Sequence, residues 1–152
     1  MRQRLTDTIL PSQTRKVITD GLALGYRYDP SPIICDDGTP PPEDTVSDYH
    51  PNARPGSRAP HVFIAPGRST IDLFGKGFVL MRLGAAPPDV SDVAGAFAQR
   101  GMPLRVETLE HPEVTALYAR KLVLVRPDGH VAWRADASPT DPLALADRVR
   151  GA

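Results

Sequence analysis

The sequence predicts an α/β domain whose elements run strand, helix, strand, helix, strand, strand, helix from residue 78 onward. Three observations carry that expectation. Phe78-Val-Leu-Met-Arg-Leu83 is a nearly continuous apolar run, as in a strand buried on both faces. Val90, Val93, Ala94 and Phe97 recur at helical spacing. Pro127-Asp-Gly129 sits between two strand-like runs, where a tight hairpin turn wants proline and glycine. The chain has 152 residues, about one domain, and its 41% hydrophobic content is enough for a core.

The elements follow in order. Arg2–Leu10 and Gln13–Leu22 read as short helices separated by Pro11, with Val17, Ile18 and Leu22 on one face. Gly25-Tyr-Arg-Tyr-Asp29 reads as a short strand ending at Pro30. Nine of the 17 prolines then fall within residues 30–66, which predicts extended chain and turns, because proline fixes φ and removes a donor. The acidic residues Asp36, Asp37, Glu43, Asp44 and Asp48 make this stretch a solvated loop.

His61–Ala65 is an extended run before the turn Pro66-Gly67. After Phe78–Leu83, the helix through Val90 and Phe97 closes at Gly101. Leu104–Leu109 is a second strand. Pro112 opens a helix with Val114, Leu117 and Tyr118 inside. Leu122–Val125 and His130–Arg134 flank the turn, and Asp141-Pro142 is an N-cap and N1 pair for a last helix with Leu145 and Val149 inside. A parallel pair made by a crossover and then a hairpin is the thioredoxin-like arrangement. The expected organisation is a helical segment over residues 1–24, a short strand and proline-rich loop over 25–57, and the thioredoxin-like domain over 58–152.

Composition narrows the function. Eighteen basic and 18 acidic side chains give no net charge, which argues against a nucleic-acid partner or a polybasic membrane surface. No apolar run approaches a membrane span, and charges and Pro11 break the first 25 residues, so the expectation is no membrane partner and a cytoplasmic location. One cysteine, Cys35, excludes a disulfide framework, a CxxC pair and a cysteine-based zinc site. The position after the first core strand, where a redox pair would sit, reads Gly84-Ala-Ala-Pro-Pro-Asp-Val90, so the predicted fold lacks redox cysteines. Cys35 lies beside Asp36 and Asp37, which oppose a thiolate, and has no cationic neighbour in sequence.

The four histidines, His50, His61, His111 and His130, form no HxH, HxxxH or HExxH spacing; a metal site would need distant partners such as His61 and His130. His130, beside the turn, reads as a surface hydrogen-bonding residue. Gly75-Lys-Gly77 begins like a dinucleotide fingerprint, but Leu80 stands at its third glycine and it precedes a strand. Ser69, Asp72 and His61 form a triad only on paper. No catalytic, cofactor-binding or metal residue is assigned.

Four strings together are more specific: Gly25-Tyr-Arg-Tyr-Asp29, Arg54-Pro-Gly-Ser-Arg-Ala-Pro-His61, Asp72-Leu-Phe-Gly-Lys-Gly-Phe78 and Leu122-Val-Leu-Val-Arg-Pro-Asp-Gly-His-Val-Ala-Trp-Arg134. Their order and spacing resemble the C-terminal region of FAD-dependent aromatic hydroxylases of the para-hydroxybenzoate and phenol hydroxylase type. The resemblance covers nearly the whole chain. It implies a thioredoxin-like domain without redox cysteines, used for structure and subunit contacts. The FAD and NAD(P)H chemistry would belong to a larger N-terminal portion, whose fingerprints are not matched here in context. Arg58, His61, Asp128, Gly129, His130 and Trp133 are then docking or structural residues, with Asp128 and Gly129 explained by the turn and Trp133 a core or interface filler.

The expected function is an accessory domain of such a hydroxylase, catalytically incomplete alone, with no cofactor on this chain. The alternative is a free-standing module that dimerises or binds a small hydrophobic molecule. The expected partner is a flavin-binding domain or chain, or a second copy in a homodimer contacting through the N-terminal helices and the Tyr26–Tyr28 strand.

Overall fold

The structure, a computed structural model, describes residues 19–152. The helix expected at Arg2–Leu10 lies outside the described residues, as does most of the one expected at Gln13–Leu22. Two compact units are present among the described residues: residues 19–26 with 41–50, and residues 27–40 with 51–152.

In the smaller unit, α1 spans Asp20–Gly25. Gly21 is buried because the backbone of Thr45 and Val46 occupies the space a side chain would fill. The strand expected at Gly25–Asp29 does not form. Helix α1 runs through Gly25, and residues 26–29 belong to no sheet.

The larger unit holds β1 (Phe63–Ala65), β2 (Arg68–Ser69), a 3-10 turn (Thr70–Leu73), β3 (Phe78–Leu83), α2 (Ser91–Gln99), β4 (Leu104–Leu109), α3 (Pro112–Tyr118), β5 (Leu122–Val125), β6 (Val131–Ala135) and α4 (Pro142–Arg150). From residue 78 this is the predicted order. The sheet order is β4-β3-β5-β6, with β3 parallel to β4 and antiparallel to β5, and β5 antiparallel to β6. The crossover through α2 makes the parallel pair, since parallel neighbours need a long connection, and the tight turn makes the antiparallel one. The short strand β2 was not legible; it pairs with β1 through the Pro66-Gly67 turn.

Alternation along the strands sorts the core into two layers. Leu80, Leu122, Leu124 and Ala132 meet Val93 and Phe97 of α2 and Leu145 and Val149 of α4. Val79, Met81, Leu83, Val123, Val125 and Val131 meet Val114 and Tyr118 of α3 and Leu73 of the 3-10 turn. Asp141 caps α4 by accepting the Ala144 N–H at 2.9 Å, and Arg100 clamps Asp147 with two bonds of 2.7 Å, tying the end of α2 to α4.

The register slips between Leu124 and Val125, where Ala132 is the extra residue of a β-bulge. Val131 therefore enters one core layer while Trp133 packs against the other, although two residues apart in a regular strand share a face. The bulged Ala132 carbonyl accepts the Cys35 N–H at 2.8 Å.

The proline-rich stretch is extended chain and turns, as predicted, but part of it is not a solvated loop. Ile34 is in the core, and two buried arginines hold the acidic residues near it. Arg134 Nε donates to Asp37 Oδ2 at 2.7 Å and its Nη2 to Thr39 Oγ1 at 2.9 Å. Arg54 donates to Asp29 Oδ2 at 2.9 Å and to the Thr39 carbonyl at 2.6 Å. Residues 27–40 and 51–57 are thus bonded to one another and to β6 within the larger unit.

Candidate functional site

The four strings that carry the family resemblance meet at the turn between β5 and β6. Gly129, at φ +82°, makes the turn, and its N–H returns to the Arg126 carbonyl at 2.9 Å. Asp128 uses the turn geometry to accept the His130 N–H at 3.1 Å on Oδ1. Its Oδ2 accepts from Arg126 Nε at 3.1 Å and from the Tyr28 hydroxyl at 3.2 Å. Burial pushes the Asp128 carboxyl up, but the His130 N–H and the Arg126 guanidinium outweigh burial and hold it below the usual carboxylate value.

His130 is only 1% exposed, not the surface residue expected beside a turn. Its ring lies 4.8 Å from that of Tyr28, centroid to centroid, and the Arg126 guanidinium stands 5.8 Å over the same Tyr28 ring. Tyr28 is therefore part of this corner and belongs to no strand.

The second string runs along the free side of β6. Gly56 N–H donates to the Val131 carbonyl at 2.7 Å, Val131 N–H to the Ser57 carbonyl at 2.9 Å, and Ala59 N–H to the Gly129 carbonyl at 2.8 Å, with Arg58 and His130 bridged. A cleft of about 190 Å³ opens there. The second string contributes Arg58 and Ala59 to its wall, the third Phe74 and Gly75, and the fourth Pro127, Asp128 and Gly129, with Ile71 beside them.

The other nominated residues lie elsewhere. His61 is exposed and packs edge-on against Phe63 at 4.7 Å. Asp72 accepts from the Ser69 N–H at 2.7 Å and the Ser69 hydroxyl at 3.2 Å, a helix-capping arrangement that explains both without His61. Trp133 is half-buried on the α2–α4 side. Among the described residues no group of three His, Cys, Asp or Glu side chains is placed to hold a metal, and no helix is long and apolar enough to cross a membrane.

Gly75-Lys-Gly77 does not suit a dinucleotide. It joins a 3-10 turn to β3, and the space over Gly77 is filled by Pro103, whose carbonyl would stand 3.0 Å from an added Cβ. Arg82 of β3 donates to the Pro88 carbonyl at 3.0 Å and the Pro87 carbonyl at 3.3 Å, so the loop after β3, where a redox pair would sit, is pinned by an arginine.

Cys35 has a cationic neighbour that its sequence context did not show. Burial raises its thiol pKa, and Arg148 offsets this only in part. The protonated thiol is therefore favoured at neutral pH, and Cys35 should alkylate more slowly than an unperturbed thiol. Cys35→Ser should leave the thermal midpoint within about 2 °C of the parent, as expected for a change of roughly 0.5 kcal/mol. Thiol-dependent reductase activity lost in that variant would contradict this.

Arg54, Arg134, Tyr28 and Arg126 were missed as position-setting residues, although all four stand inside the strings. Their partners lie far away in sequence, so no local signal marks them.

Comparison with known proteins identifies the family. The model of the family described as aromatic-ring hydroxylase, C-terminal, matches residues 52–151. Tetracenomycin B2 monooxygenase-dioxygenase of Streptomyces olivaceus is 37% identical, the match covering 89% of this chain and 27% of that protein. FAD-dependent monooxygenase apdD of Emericella nidulans is 35% identical, over 77% of this chain and 20% of that protein. The solved structure of the substrate-free rebeccamycin biosynthetic enzyme RebC superposes with a TM-score of 0.83 at 43% identity, covering 99% of this chain and 27% of that one. The chain thus spans about a quarter of the length of these relatives. It belongs to the aromatic-ring hydroxylase C-terminal domain family, whose full-length members matched here are FAD-dependent aromatic and polyketide monooxygenases.

Proposed function

We propose that this chain is the accessory portion of an FAD-dependent aromatic hydroxylase of the cytoplasm, a thioredoxin-like scaffold that carries no hydroxylation chemistry of its own. It docks the β5–β6 turn and its cleft against a flavin-binding portion, which holds FAD and takes hydride from NAD(P)H. The observation that carries this reading is the convergence of the four strings on the β5–β6 turn, where Tyr28 bonds Asp128 and the second and third strings line the adjoining cleft. The invested residues build a rigid corner: Asp128, His130 and Tyr28 lock one another. No nucleophile–base pair or phosphate cradle is assembled among them.

Arg58 is the side chain of this corner best suited to reach a partner. It is half-exposed on the cleft wall beside the apolar Ile71 and Phe74, the combination of cation and apolar surface typical of an interface anchor. Arg58→Glu should weaken association with a flavin-binding portion of the family by at least tenfold, read by titration calorimetry, while leaving the thermal midpoint of this chain unchanged. Unaltered affinity would remove this face from the contact.

A further inference from the structure

The segment over residues 73–77 separates two cavities. Phe74 and Gly75 face the docking cleft beside the β5–β6 turn, whereas Leu73, Lys76 and Gly77 line a second cavity of about 290 Å³. The second cavity lies across the first residues of β3 and β4, where Phe78 pairs with Leu104 and Val79 with Arg105. It is therefore at the opposite end of the parallel pair from the loop where a redox pair would sit. It shares no lining residue with the docking cleft.

Its walls are mostly apolar. Leu73 and Val79 are buried, and Phe78 and Leu104 are half-buried. Pro103 closes one side, because its carbonyl accepts the Phe78 N–H at 3.0 Å and Gly77, at φ +140°, leaves no room for a side chain against it. An apolar cavity of ~150 Å³ takes up benzene. A cavity of about 290 Å³ therefore has room for one six-membered ring with one polar group attached.

The polar group is specified by charge. Two cations, Lys76 and Arg105, stand at the cavity and no acidic side chain lines it. Arg105 is held in place, with Nε 2.9 Å from Glu107 Oε1 and Nη2 donating to the Leu73 carbonyl. Lys76 is exposed and pairs with no acidic side chain among the described residues. Glu107 balances Arg105, so one positive charge is left uncompensated, which suits a monoanion better than a dianionic phosphate. The planar guanidinium and the lysine ammonium both donate well to a carboxylate. We propose that this cavity is a binding site for a small apolar carboxylate, its ring against Leu73, Phe78 and Leu104 and its carboxylate between Lys76 and Arg105.

Heteronuclear NMR titration of the whole chain with cyclohexanecarboxylate tests this, with the neutral cyclohexanecarboxamide as control. The carboxylate should bind saturably with a Kd of about 1 mM, as expected of so few atoms, and shift the amide signals of Lys76, Gly77 and Leu104. The carboxamide should bind at least about tenfold more weakly. Lys76→Gln should weaken the carboxylate about tenfold and leave the carboxamide unchanged, and Lys76→Arg should restore most of the loss. Because Lys76 is exposed, all three proteins should share one thermal midpoint. No saturation up to about 20 mM, shifts centred away from these residues, or equal binding of acid and amide would overturn the proposal. So would Lys76→Gln weakening association with a flavin-binding portion while the acid leaves the chain unbound, since the cavity would then be filled by that portion. Arg58 is not in this cavity, so failure here leaves the docking reading to its own test.

Discussion

Replacing Arg134 with alanine should lower the stability of the chain by about 3 kcal/mol, because it strips the partner from a carboxylate held inside the protein. Asp37 and Arg134 are 11% and 7% exposed in their side chains, so little solvent screens the pair. Arg134 also donates to Thr39 and, at 3.3 Å, to the Tyr118 carbonyl, and these acceptors lose their donor in the variant. For a chain of this size the thermal midpoint should fall by roughly 9 °C.

The pair also predicts a pH dependence with a defined sign. Burial pushes the Asp37 carboxyl up, but hydrogen bonds from Thr39 and Arg134 outweigh burial and hold it below its usual value. A carboxyl whose folded pKa is depressed stabilises the fold above its unfolded value, about pH 4. That stability is lost as pH falls through the lower folded value. The gap between parent and Arg134→Ala should therefore narrow below about pH 4, and a gap that stays constant from neutral to strongly acidic pH would show that the charge pair is not its source.

Gly56→Ala should cost a similar amount, roughly 3 kcal/mol, through the backbone alone. Gly56 has φ +90°, a conformation that costs an L-residue about 1–2 kcal/mol. An added Cβ would also stand 2.5 Å from the Tyr28 carbonyl oxygen, a contact that must be relieved by moving one of two hydrogen-bonded segments. Its N–H bonds Val131 and its carbonyl accepts the Tyr28 N–H at 3.0 Å, so relief there pulls Tyr28 away from His130 and Asp128. Chemical denaturation should show the loss of stability, and tyrosine fluorescence should report the displaced ring. A variant as stable as the parent would mean that residues 56–59 hold the corner less tightly than their bonds suggest.

The local chemistry of the sequence made much of this fold legible. Phe78–Leu83 and Leu104–Leu109 are strands with the predicted limits, because a nearly continuous apolar run and an alternating one each leave a mark within six residues. Pro112 at the start of α3 and Asp141 capping α4 are equally local signals. What stayed hidden depends on distant partners. Arg134 and Asp37 are 97 residues apart, and neither residue's neighbours announce the other. The acidic loop therefore read as solvated. His130 read as exposed because a turn usually is, yet Tyr28, about a hundred residues earlier, covers it. The bulge at Ala132 is invisible to a two-residue period, which is why Trp133 and Val131 part company. For the site, the strings are scattered over more than a hundred residues of sequence, and only the fold showed that they meet at the β5–β6 turn.

The central claim is that this chain docks beside a flavin without holding one. Sedimentation velocity followed in the visible flavin band tests it most directly, with this chain alone, a flavin-binding portion of the family alone, and the two mixed. The account predicts no flavin absorbance with this chain alone and a faster flavin-bearing boundary in the mixture than with the flavin-binding portion by itself. Stoichiometric flavin sedimenting with this chain alone, or a boundary unmoved by its addition, would contradict it.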